Sequence, residues 1–150
     1  MSVVCRQGTL EECIQVADEI VEFVHKETVS SLSARIEDKC FLIQIAEDDG
    51  QLLGFKIGYQ LDHSTFYSWF GGVSPRARNK GVAQKLLDAQ ETWVRERGYE
   101  HLKVKSRNQF PAMLRLLLRN GYLIEQFEQK DNLIESRIHF IKYLSPSKNK

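Results

Sequence analysis

Little in this 150-residue chain is available for cross-linking or for holding a metal. Its three cysteines, Cys5, Cys13 and Cys40, are odd in number, widely separated and without a Cys-x-x-Cys pair, which argues against a disulfide framework or a structural zinc cluster. The four histidines, His25, His63, His101 and His139, are equally scattered, with no His-x-x-x-His spacing, so no metal is implied. A dominant charge is lacking too. Twenty-one basic and twenty acidic side chains leave a net charge of +1, so affinity for nucleic acid or an anionic membrane would have to come from a local patch. No apolar run approaches the roughly 18 residues of a membrane span, and the first residues do not form a basic-then-apolar leader. The expectation is a reduced, cytoplasmic protein without membrane or nucleic-acid partners.

What the chain has is enough apolar material for one core. Apolar residues make up 42% and charged residues 27% of it, as in globular proteins, and its length fits a single domain, placed at residues 1–144 with a polar tail at 145–150. Val3–Gln7 reads as a first strand. Thr9-x-x-Glu12 has capping-box spacing, and Leu10, Ile14, Ala17, Ile20, Val21 and Val24 then recur at helical intervals, with Glu19 and Glu22 off the stripe. A weaker helical pattern covers Ser31 to Asp38. Two β-rich runs, Phe41–Glu47 and Gln51–Tyr59, flank the turn residues Asp48-Asp49-Gly50 and predict a hairpin. Thr65 to Val73 reads as a fourth strand containing Gly71-Gly72, a pair that marks a bulge or a close backbone approach. A third helix is predicted from Gly81 to Glu96, with Val82, Leu86, Ala89, Trp93 and Val94 inward and Lys85, Asp88, Glu91, Arg95 and Glu96 outward. His101 to Ser106 alternates as a fifth strand. Pro111 opens a fourth helix that Gly121 ends, and Tyr122–Glu128 and Ile134–Leu144 read as two closing strands.

The most informative stretch is Val73-Ser-Pro-Arg76-Ala-Arg78-Asn79-Lys80-Gly81-Val82-Ala83, which passes from a strand end through a basic turn into a helix. The first backbone N–H groups of a helix lack intrahelical partners and carry partial positive charge. Gly81 and Ala83 put little bulk over them, and Arg76, Arg78 and Lys80 add cations. The pattern predicts a pyrophosphate cradle.

Arg78-x-x-Gly81-x-Ala83, set between a strand and a helix, resembles the coenzyme A loop of the GNAT N-acetyltransferase superfamily. The likeness extends to Asp48-Asp49-Gly50 in the hairpin, to Asn108, Ala112, Leu116 and Gly121-Tyr122, and to the order of elements over nearly the whole chain. It implies an α+β fold: a mixed, mostly antiparallel twisted sheet of about seven strands with four helices, strands four and five splaying apart so that the pantetheine arm of acetyl-CoA lies between them. It implies acetyl transfer from acetyl-CoA to a primary amine of a small molecule, peptide or protein, by direct attack in a ternary complex and without a metal. The cofactor would be held by Gly72, Val73, Arg76, Arg78, Asn79, Lys80, Gly81, Val82, Ala83 and Asn108, and the Val73 N–H would hold the oxyanion.

Two departures from the family pattern bear on catalysis. The fourth strand has no carboxylate to act as base, which leaves Tyr67, His63, Asp62, Glu19, Glu22 and His25 as substitutes. Leu117 stands where the family often has a tyrosine to protonate the thiolate, which leaves solvent or another hydroxyl, Ser106 or Tyr122. Tyr67 and Trp69 could line the acceptor pocket. A non-catalytic acyl-CoA-binding module is the alternative function, a nucleic-acid-binding domain is a weaker third reading, and the assembly is expected to be a monomer or homodimer.

Overall fold

The capping box closes as the spacing requires. Thr9 Oγ1 accepts the Glu12 N–H at 3.2 Å, and the Glu12 carboxylate accepts the Thr9 N–H at 3.0 Å, fixing the start of helix α1, Leu10–Ala17. The computed structural model describes residues 2–23 and 25–144; the tail expected at 145–150 lies outside them. Strand β1 is Val4–Gln7 and helix α2 is Val29–Ile36, the latter opened by a second box between Thr28 and Ser31. β2, Phe41–Asp48, and β3, Gln51–Asp62, form the expected hairpin, its turn made by Asp49 and Gly50 at φ of 50° and 84°. β4 is Thr65–Val73, α3 is Val82–Glu96, β5 is His101–Arg107 and α4 is Pro111–Arg119. β6, Leu123–Glu128, and β7, Arg137–Tyr143, complete a seven-stranded sheet in the order β1-β2-β3-β4-β5-β7-β6. The pairing of β4 with β5 is parallel and comprises Thr65↔His101 to Ser68↔Val104; β1–β2, β2–β3, β5–β7 and β6–β7 are antiparallel.

Cα proximity groups the chain into two compact units, Met1–Gln60 with Trp69–Trp93, and Leu61–Ser68 with Val94–Lys150. In the first, Ala46, Leu53, Ala77, Val82 and Leu86 form one buried cluster. Gly54 lets α3 lie close to β3, since a Cβ there would meet Val82 and Leu86 side chains at 3.1 Å. In the second, Phe66, Leu102, Val104, Leu117, Tyr122, Ile138 and Phe140 are buried, and Phe66 packs on Tyr99 with centroids 5.3 Å apart.

Three sequence expectations need correction. The first helix stops at Ala17: Glu19, Ile20 and Phe23 make i→i−3 bonds to Val16, Ala17 and Ile20, which wind the chain tighter than an α-helix. Ile20 is therefore buried from a turn while Val21 is 84% exposed; Val24 lies outside the described residues. The start of the last predicted strand is instead a 3-10 turn, Leu133–Glu135, capped by Asn132. Glu91, expected outside, is buried on α3 beside the fully buried Gln90. Its opposite charge is Lys56 on β3, whose ammonium is pushed by burial down to about 8 although Glu91 pulls the other way.

Candidate active site

The helix start is built from below. Ala77 and Val82 anchor the turn in the core of the first unit, and Pro75–Ala77 make a single 3-10 turn, with Ser74 buried. Asn79 and Gly81 then take φ of 62° and 78°, a left-handed region that glycine enters freely and asparagine with little cost. A Cβ on Gly81 would meet nothing within 4 Å, so the glycine is required by backbone angle and leaves open space over the helix start. The first α3 hydrogen bond runs from the Lys85 N–H to the Gly81 carbonyl at 3.1 Å. The Val82 and Ala83 amides therefore precede the helical ladder, and the turn that leads into them carries the exposed Arg76, Arg78, Asn79 and Lys80. This combination of bare amides, open space and guanidinium groups fits a diphosphate.

The structure adds a feature that sequence reading missed. The turn segment after α1 lies against this loop: Ser74 Oγ donates to Glu19 at 2.7 Å, Arg76 pairs with Glu19 at 3.3 Å, and Arg78 pairs with Glu22 at 2.9 Å. Arg76 also donates to the Leu52 carbonyl at 3.1 Å. The Ser74 hydroxyl, ahead of Arg76, holds the Glu19 carboxyl below its usual range, and Arg78 does so for Glu22. Both carboxylates, two of the groups considered as bases, are thus committed to the ionised form and to the cradle arginines. Only the opposite signs of 19/22 and 76/78 hinted at this, and no local pattern connects residues so far apart.

β4 approaches the loop with its glycines packed tightly. A Cβ on Gly71 would lie 3.0 Å from the Phe55 carbonyl, and one on Gly72 would lie 2.5 Å from Ile20 Cδ1 and 3.2 Å from Phe23. The Ser74 N–H donates to the Leu53 carbonyl at 2.8 Å. Alternation along a strand then turns the Val73 N–H away from β3, the orientation an oxyanion donor needs.

The first unit therefore brings together Gly72, Val73, Arg76, Arg78, Asn79, Lys80, Gly81, Val82 and Ala83, while Tyr67, His63, Ser106 and Asn108 belong to the second. Tyr67 is half-buried on β4, with the Lys105 ammonium 5.7 Å from its ring centroid. His63 is exposed in the β3–β4 turn, where the Ser64 N–H holds the neighbouring Asp62 carboxyl below its usual range. Ser106 is buried on β5 opposite Ile138. Asn108 donates its side-chain N–H to the Leu133 carbonyl at 2.9 Å, tying the turn before α4 to the 3-10 turn before β7. Leu117 is fully buried and Tyr122 is 2% exposed. Among the described residues no group of His, Cys, Asp and Glu is placed to hold a metal, and no helix is long and apolar enough to cross a membrane.

The model of the acetyltransferase (GNAT) family matches residues 10–122. Several hundred solved chains share the fold. The Escherichia coli ribosomal-protein-S18-alanine N-acetyltransferase superposes with a TM-score of 0.84 at 13% identity, covering 99% of this chain and 98% of its own. The Salmonella typhimurium protein yncA, solved with its cofactor acetyl-CoA, gives 0.77 at 13% identity, covering 99% and 97%. The Thermoplasma acidophilum PaiA N-acetyltransferase, in complex with coenzyme A, gives 0.77 at 18% identity, covering 95% and 99%. No curated protein matches the sequence.

Proposed function

The chain belongs to the acetyltransferase (GNAT) family, and on that premise we propose that it is an N-acetyltransferase that moves an acetyl group from acetyl-CoA to a primary amine. The observation that carries this reading is the bare turn at Gly81, with φ of 78° and open space above it, set among Arg76, Arg78, Asn79 and Lys80. These side chains, with the Val82 and Ala83 amides, would hold the diphosphate. The Gly72 backbone and the outward Val73 N–H would align the pantetheine arm and the thioester carbonyl, in the manner of an added strand. Asn108, which keeps a second side-chain N–H, is a further residue we propose for the cofactor.

The amine nitrogen attacks the carbonyl carbon, negative charge gathers on the oxygen opposite the Val73 N–H, the carbon–sulfur bond breaks, and the thiolate leaves and is protonated. Positioning supplies most of the rate. An alkyl ammonium must still lose a proton at neutral pH, and Tyr67, His63 and Ser106 are the groups we assign to test for proton transfer. Tyr67→Phe and His63→Ala would each alter the pH–rate profile if the residue takes part.

Calorimetry with acetyl-CoA tests the cradle. Arg78→Glu is expected to weaken binding at least about tenfold with the fold retained, since it puts a carboxylate among the groups assigned to phosphate, and Gly81→Glu, which also strains the backbone at φ of 78°, should weaken it at least as much. Unchanged affinity in both removes the assignment. The buried Leu117, which cannot donate a proton, favours a second reading as a non-catalytic acyl-CoA-binding module; acetyl-CoA binding without coenzyme A release across a broad amine panel would select it.

A further inference from the structure

The acceptor can be described more closely from an array of side chains in the first unit. Aromatic rings follow one another from the end of β4 towards α2. Phe23, at the Gly72 end, packs on Phe70 with centroids 5.3 Å apart; Phe70 meets Trp69 at 5.8 Å, and Trp69 meets Tyr59 at 6.0 Å. At the far end the Arg35 guanidinium lies 4.7 Å over the Trp69 ring and donates to the Tyr59 hydroxyl at 2.9 Å. The Lys39 ammonium, 5.4 Å from the Tyr59 ring, is already paired with Asp38 at 3.0 Å, which leaves Arg35 as the cation available to an acceptor. Phe23, Trp69 and Phe70 are half-buried and Arg35 is exposed.

Arg35 differs from the arginines of the loop. Arg76 and Arg78 each answer a glutamate, whereas among the described residues no carboxylate lies within 4.0 Å of Arg35. A guanidinium has five N–H donors in a fixed plane. The indole contact and the bond to Tyr59 engage one side of the group and leave further N–H donors for a carboxylate.

Resting on the acetyltransferase reading, we propose that this array selects the acceptor: a peptide whose terminal amine lies at Gly72–Val73, whose apolar side chains lie along the rings, and whose carboxylate meets Arg35. Length decides between acceptor classes. Trp69 and Val73 are four residues apart on β4, about 13 Å at strand rise, so amine and carboxylate must be separated by roughly 10–13 Å. A free amino acid, with both groups on one carbon, is too short. An extended peptide covers about 3.3–3.6 Å per residue, which places the anionic residue about three positions after the terminal one.

The test uses two tetrapeptide amides, Ala-Leu-Phe-Glu-NH2 and Ala-Leu-Phe-Gln-NH2, with acetyl-CoA and a readout of released coenzyme A. The acidic peptide is expected to have a kcat/KM about tenfold or more above its neutral twin, mainly through KM. Arg35→Gln should bring the ratio close to one and Arg35→Lys should restore part of it, with acetyl-CoA affinity unchanged in both. Equal kcat/KM in the wild-type protein, or a ratio that survives Arg35→Gln, overturns the proposal. If neither peptide is turned over, the Trp69 indole N–H resonance decides in protein saturated with coenzyme A. A shift with the acidic peptide alone supports the carboxylate site, and no shift overturns it. Absence of acetyl-CoA binding in the same preparation counts instead against the acetyltransferase reading.

Discussion

If a diphosphate takes Arg76 and Arg78, it must first displace Glu19 and Glu22, so neutralising those carboxylates should tighten acetyl-CoA binding. The perturbation is Glu19→Gln with Glu22→Gln. Both ion pairs are about 40% exposed on each side, and pairs of that kind contribute about 0.2–1 kcal/mol each. The Ser74 hydroxyl bond to Glu19, at 2.7 Å, adds about 0.5–1.5 kcal/mol, part of which a glutamine retains. Displacing the set therefore costs about 1–2 kcal/mol, and removing that cost should lower Kd about five- to thirtyfold. Calorimetry at physiological salt measures it directly.

The pH dependence has a fixed sign. Both carboxyls are held below their ordinary range, so the clasp is fully formed above the normal carboxylate pKa and is lost as pH falls through the lowered values. The double variant should accordingly differ from the parent at pH 7 and converge with it in acid. Equal or weaker binding by the variant at pH 7 would refute competition between the carboxylates and the cofactor.

Two further outcomes concern stability. Lys56 has a folded pKa of about 8 against 10.5 when free, so the unfolded chain binds more protons between those values and stability should rise with pH across them, by about 3 kcal/mol at most. Urea unfolding at pH 7.5 and pH 10 should show a rise that Lys56→Met lacks, and equal slopes would exclude Lys56 as its source. Gln90 is fully buried with neither amide atom hydrogen-bonded; Gln90→Leu should stabilise the protein by about 1–2 kcal/mol, read from the denaturation midpoint, and a loss of stability would mean that the amide has a partner.

The fold was legible where local chemistry decides it. The Thr9 box, the Asp49-Gly50 turn, the limits of β4 and the glycine before α3 all follow from residues within a few positions of one another. Local reading failed where distant groups set the outcome. A 3.6-residue stripe continued past Ala17, yet Ile20 is buried from a tighter turn, because a core accepts an apolar side chain from any backbone that delivers it. Glu91 scored as an outward residue because nothing near it in sequence announces Lys56, some thirty-five positions earlier. For the same reason the basic turn was visible and its ion pairs were not: Arg76 and Arg78 stand together in sequence, whereas their glutamates arrive from the turn after α1. Arg35, on a weakly patterned helix, gains its orientation only from Trp69 and Tyr59.

The last strand of the sheet has a practical consequence. β6 carries Leu123, Ile124 and Phe127, each about half exposed or more, on a border that neither lysine nor proline interrupts. Such borders recruit other strands. Self-association in concentrated solutions is the expected result, and replacing one of these apolar side chains with lysine should reduce it.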